Sequence, residues 1–165
     1  MPPSARLVSA HRLPAVSGGS SIDAAEAARL VAAEKDACGA RAQWAETRLP
    51  SGLLVRKTLV PLALTIDPPP ASGHLLVMGD WRRPDLIQIR LVLTREKGES
   101  NVERLCLDPV HLGTLHWHHL EQMPGGGKPP VDVKNRPAVL NEEWMLYEEF
   151  VPTMNISNLA RSLPL

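Results

Sequence analysis

The stretch Leu86-Ile87-Gln88-Ile89-Arg90-Leu91-Val92-Leu93-Thr94 sets the fold class. Ile87, Ile89, Leu91 and Leu93 fall at every second position, with Gln88, Arg90, Val92 and Thr94 between them. A period of two is the signature of an extended strand, and this alternation predicts a sheet with one face on the core. Downstream, residues 95–101 form a charged turn around Gly98, and residues 102–108 return as the second arm of a hairpin. Leu105 and Leu107 then share the buried face, and Arg104, Cys106 and Asp108 the other. Residues 111–123 carry a further strand, followed by the Pro- and Gly-rich loop 124–130.

Upstream, residues 74–78 read as a strand stopped at Gly79-Asp80. Residues 53–55 and 58–60 are rich in β-formers, with Pro61 restricting them to an edge strand or two short pieces. Asp67-Pro68-Pro69-Pro70 is a stiff connector. Nearer the N-terminus, Ser20 or Ser21 can cap an Ala-rich helix with Asp23 in its first turn. A second short helical stretch carries Trp44 and ends by Pro50-Ser51-Gly52. At the other end Asn141 caps a helix with Glu142 and Glu143 in its first turn, and Leu140 and Met145 form a hydrophobic staple. Pro152 interrupts it, and Met154, Ile156 and Leu159 continue as a final short helix. The expected fold is α+β: an antiparallel sheet of about four to six strands, with the N-terminal Ala-rich helix and the C-terminal helix packed on one face. Residues 1–19 read as a flexible N-terminal arm, and residues 20–165 as a single α+β domain.

Composition narrows the function classes. The chain has 165 residues, 44% hydrophobic and 22% charged, a balance that supports a packed core without a disulfide or a metal. With one Phe, one Tyr and four Trp, that core must be aliphatic. Lys plus Arg equals Asp plus Glu at 18 each, so nucleic-acid binding is possible but is not indicated by net charge. The arginines at 82, 83, 90 and 95 are interleaved with acidic residues and read as a solvated mixed surface. Cys38 and Cys106 lack a CxxC partner, which suits a reducing compartment. No leader-like or bilayer-length apolar run occurs, so the expectation is a cytoplasmic protein with no membrane association.

Chemistry concentrates in Leu112-Gly113-Thr114-Leu115-His116-Trp117-His118-His119-Leu120. In an extended chain His116 and His118 share one face, about 6.5–7 Å apart at Cα, with Trp117 and His119 on the other. Imidazoles at i and i+2 can hold a metal from a strand or supply an acid and a base to one substrate. A hairpin that brings Cys106 or Asp108 beside His116 completes a metal set of His116, His118, Asp108 and Cys106. The catalytic set without metal is His116 and His118, with Arg104 or Arg90 at a phosphate. The plainer reading is a polar surface strand anchored by Trp117. Cofactor identity is not specified by either set. Neither Gly-rich stretch has phosphate-loop spacing, no GxSxG occurs, and Cys38 reads as a small helix-face residue.

Over about residues 86–158 the chain resembles a family of small, uncharacterised bacterial and phage proteins. The likeness rests on the alternating strand, Arg104-Leu105-Cys106-Leu107-Asp108, His111, Leu115-His116-Trp117-His118, Phe150 and Asn155-Ile156. The family has an Arg-Leu-Asp segment followed by a His-x-His strand. Here Cys106-Leu107 separates Arg104-Leu105 from Asp108, and the proline-rich loop replaces aromatic and acidic residues. The resemblance implies a conflict-system context: defence, antitoxin or inhibitor. The first functional expectation is therefore a small protein-interaction module whose partner is another protein, because the Ala-rich helix carries only a thin apolar stripe. The alternative is a small His-dependent hydrolase or nuclease, or a metal-binding enzyme, using the strand of His116 and His118.

Overall fold

A computed structural model describes residues 22–37, 43–65, 72–80, 83–95, 98–107, 114–121 and 130–160. The proposed arm 1–19, Cys38, Asp108, His111 and nearly all of the 124–130 loop lie outside the described residues. Helix α1 spans Ala24–Ala32. It is followed by strands β1 (Lys35–Asp36), β2 (Ala45–Arg48), β3 (Leu54–Leu64), β4 (Ser72–Asp80), β5 (Arg83–Arg95), β6 (Gly98–Leu107), β7 (Leu115–Glu121) and β8 (Val131–Asp132). The C-terminal helix runs as a π-helix over Trp144–Phe150, and α2 (Val151–Thr153) continues it before strand β9 (Ile156–Ser157).

Among the described residues the architecture is mixed α+β, with a nine-stranded sheet in the order β8-β7-β6-β5-β4-β3-β1-β9 and β2 paired with β3 off that path. The expected four to six strands are too few: the meander β3 to β7 is extended by the two-residue strands β1, β8 and β9 and by β2. Runs that short carry no alternation to read, and only their pairing makes them strands. The segment around Trp44 is not helical. Ala45–Arg48 pairs antiparallel with Leu54–Lys57 across a tight turn at Gly52, whose φ of 86° suits glycine. The expected last helix is replaced by β9, which lies parallel to β1 through Lys35↔Ile156 and Asp36↔Ser157. Asn155 and Asn158 flank it with φ of 53° and 60°, a left-handed conformation asparagine tolerates and a helix does not use.

Pro61 does not break β3, which is continuous. β2 covers its outer edge at Leu54–Lys57 and β1 at Ala63 and Leu64, and Pro61 falls in the gap between them, where no strand among the described residues asks it for an N–H. The helix cap is also displaced: Asp23, not Ser20 or Ser21, caps α1, its Oδ1 accepting from the Glu26 N–H at 2.7 Å. Asn141 acts as expected, Oδ1 accepting from the Trp144 N–H at 2.9 Å. Beyond it the helix widens to i→i+5 bonds, as at Val151 N–H to Leu146 O, and returns to i→i+4 at Met154 N–H to Phe150 O, 2.9 Å. Pro152, with no N–H to give, falls where the register changes.

One core cluster joins α1 (Ala27, Leu30), the C-terminal helix (Met145, Leu146, Tyr147, Phe150) and the inward side chains of the meander (Val60, Leu75, Val77, Ile89, Leu91, Leu105, Trp117). The thin stripe of α1 is thus covered by the chain's own sheet, which removes the reason for expecting it to dock on a partner. The alternation in β5 does mark the helix-bearing face, but the opposite face is buried as well: Gln88 is 3% exposed and Arg90 1%, beside Leu76, Met78, Val92, Arg104 and Cys106. A sheet buried on both faces turns polar residues on the second face into interior groups that require partners. Among the described residues, no helix is long and apolar enough to cross a membrane.

Candidate metal centre

Register places the site. Cys106 on β6 stands directly opposite His116 on β7, and Arg104 directly opposite His118. On the other side of β6, Gln88 faces Cys106 and Arg90 faces Arg104. Two rows therefore cross the buried polar face side by side: Gln88, Cys106, His116 and, on β8, Asp132; then Arg90, Arg104 and His118. Directly paired residues on neighbouring strands lie about 4.5–5.5 Å apart at Cα, which brings Cys106 beside His116 and Arg104 beside His118.

Trp117 fixes the strand from behind. Its indole stacks on Phe150 (5.4 Å between centroids, 20°), and its Nε1–H donates to Glu149 Oε1 at 3.2 Å. His119, on the same side as Trp117, lies parallel to the indole at 6.3 Å, and its Nδ1 meets Glu103 Oε2 at 2.5 Å. With Trp117 and His119 held toward the helices, strand geometry directs His116 and His118 to the other face. Near the end of β7, Leu120 has a φ of 49°, left-handed and strained for a leucine.

At the centre, the ligand atoms of Cys106, His116 and His118 all lie within 4.8 Å of one another. The two Nε2 atoms are 2.9 Å apart, with ring centroids at 4.7 Å and an interplanar angle of 72°. His116 Nδ1 lies 2.9 Å from the Thr114 carbonyl, an acceptor only, so Nδ1 carries the proton and donates it there. In the neutral ring Nε2 is then a lone pair aimed at His118 Nε2. A second lone pair facing it at this distance would repel, so either a proton or a cation lies between them. This is the arrangement in which an outer carbonyl fixes the tautomer of a metal-ligating histidine. Zinc-bound nitrogens sit about 3.3 Å apart, so the pair needs to open by only a few tenths of an ångström. Cys106 and His116 are buried, and His118 is half-buried, which leaves the His118 side as the approach.

Of the residues singled out in the sequence, His116, His118, Cys106 and Arg104 are brought together. Asp108 lies outside the described residues. Gln88 was legible as a polar residue in the alternating strand but was not assigned to the site. Its Oε1 accepts from Arg90 Nη2 at 2.5 Å, a bond along β5 that links the two rows. Asp132 was also missed, since a two-residue strand leaves no pattern. Its largely exposed carboxylate accepts from Arg136 Nη2 at 3.2 Å. Comparisons of the chain with protein-family models, with curated proteins and with solved structures give no match.

Proposed function

We propose that the chain is a metal-dependent hydrolase, in which Cys106, His116 and His118 hold a zinc-class divalent ion. The observation that carries this is the convergence of one thiol and two imidazoles within 4.8 Å, with the His116 tautomer set by Thr114. A sulfur ligand with two nitrogens selects zinc or a comparably soft ion over magnesium or calcium, which prefer oxygen. Cys106, His116 and His118 would hold the ion with three protein ligands, the number used by catalytic rather than structural zinc. Such an ion lowers the pKa of its water to about 7. Held by Cys106, His116 and His118, the ion would supply an activated water for hydrolysis of an electrophilic centre. No electron transfer is involved.

The test is metal analysis of untagged protein, followed by cobalt(II) substitution. The expected result is about one zinc per chain, removable by chelation with release of protons. The cobalt form should show thiolate-to-metal charge transfer in the near ultraviolet. Cys106→Ser should abolish that band, and His116→Ala should lower affinity by at least tenfold, roughly the loss known for disturbing a ligand shell. Substoichiometric metal that Cys106→Ser does not change would defeat the proposal. The histidine pair would then be left as a metal-free, proton-sharing couple.

A further inference from the structure

We infer that the same centre recognises a tetrahedral phosphoryl oxyanion through Arg104 and Arg90, an inference that rests on the metal reading above. Arg90 and Arg104 face each other directly across β5 and β6, on the same side as the ligands, and are 1% and 5% exposed. Like charges directly opposite on adjacent strands repel, and burial strips away the water that would screen them. Arg104 is in register with His118, the half-buried histidine on the approach side, and Arg90 continues the same row. Gln88, itself opposite Cys106, orients Arg90 through the bond from Nη2.

Charge points to the same class of ligand. A divalent ion held by one thiolate would keep a positive charge, and Arg104 and Arg90 lie in the row of paired residues next to its ligands. An anion that coordinates the fourth position with one oxygen while accepting from an arginine fork with two others matches both the sign and the geometry. A phosphoryl group has those oxygens at tetrahedral spacing and carries negative charge, whereas a neutral ester or amide offers one carbonyl oxygen and no charge. Both arginines make further contacts within the fold. With five N–H donors each, they accommodate those contacts and an oxyanion together.

The experiment uses the cobalt-loaded full chain, titrated with inorganic phosphate and separately with p-nitrophenyl phosphate, with p-nitrophenyl acetate as the neutral comparison. Phosphate should shift the visible bands saturably. Arg104→Gln should weaken that response about 10- to 100-fold, the loss of one charged hydrogen-bonded contact, with cobalt stoichiometry unchanged. Arg104→Lys, which keeps the charge and guards against a folding defect, should fall between the two. Turnover of p-nitrophenyl phosphate with the same dependence on Arg104 identifies an ester as the substrate. Binding of free phosphate without turnover identifies phosphate itself as the ligand. Protein that binds cobalt stoichiometrically but whose bands ignore phosphate, or respond equally in Arg104→Gln, overturns the oxyanion site and leaves the metal reading standing. Protein that takes up no cobalt overturns both.

Discussion

His74 shows how the second buried face acts on a single group. It lies on β4, opposite Val92 and one alternation from Leu76, and burial pushes its imidazole below the ordinary value while Glu99 pulls weakly the other way. In the unfolded chain the ring takes up a proton near pH 6.5, whereas the folded ring does so only at lower pH. Between those points the unfolded state binds more protons, so stability is full above pH 6.5 and is lost as the pH falls through the folded value. Urea midpoints compared at about pH 7.5 and about pH 5, both in chelator, should fall with acid, and His74→Asn should flatten the difference. An equal drop in the variant would assign the effect to another group. His116 and His118 were visible as a pair at i and i+2, and so was the face they share. The proton on His116 Nδ1 was not, because its acceptor is the Thr114 main chain and no side-chain pattern records a carbonyl.

At the scale of elements, α1 and the segment after α2 are joined through Lys35. Its ammonium is buried and donates to the carbonyls of Val31 (3.0 Å), Ala33 (2.6 Å) and Met154 (2.5 Å), tying the end of α1 to the turn after α2. Beside it β1 pairs with β3 on one side and with β9 on the other. Lys35→Met should leave three carbonyls short of a donor and destabilise the fold by about 2–3 kcal/mol, read from urea denaturation. A change within about 0.5 kcal/mol, the scale of an ordinary surface substitution, would mean the ammonium is dispensable. Gly79 is a second such joint. A Cβ there would meet Glu142 Oε1 at 2.8 Å and the Leu86 carbonyl at 3.2 Å, and Glu142 is the partner of Arg56 at 2.8 Å. The sequence marked Gly79 as the end of a strand; the close approach of a helix start to that strand is what the glycine serves.

Across the whole molecule, core and site are two sides of β7. Trp117 holds the strand to the C-terminal helix through Phe150 and Glu149, while His116 and His118 leave from the opposite side. Trp117→Ala should therefore cost about 3–5 kcal/mol in unfolding and also weaken cobalt binding, because the strand that aims both imidazoles loses its anchor. Lost stability with unchanged metal affinity would show that the hairpin with β6 alone positions the ligands. Local alternation was enough to determine that residues 86–94 and 102–107 are strands, which residues of each point together, and that His116 and His118 project to one side. Those properties follow from a period of two, which each strand carries within itself. The number of strands, the wider turns of the C-terminal helix, the burial of the second face and the meeting of Cys106, Arg104, Gln88 and the two histidines were decided by tertiary structure. Register between strands and the covering of a face depend on segments distant in sequence, and no single stretch encodes which partner it will meet.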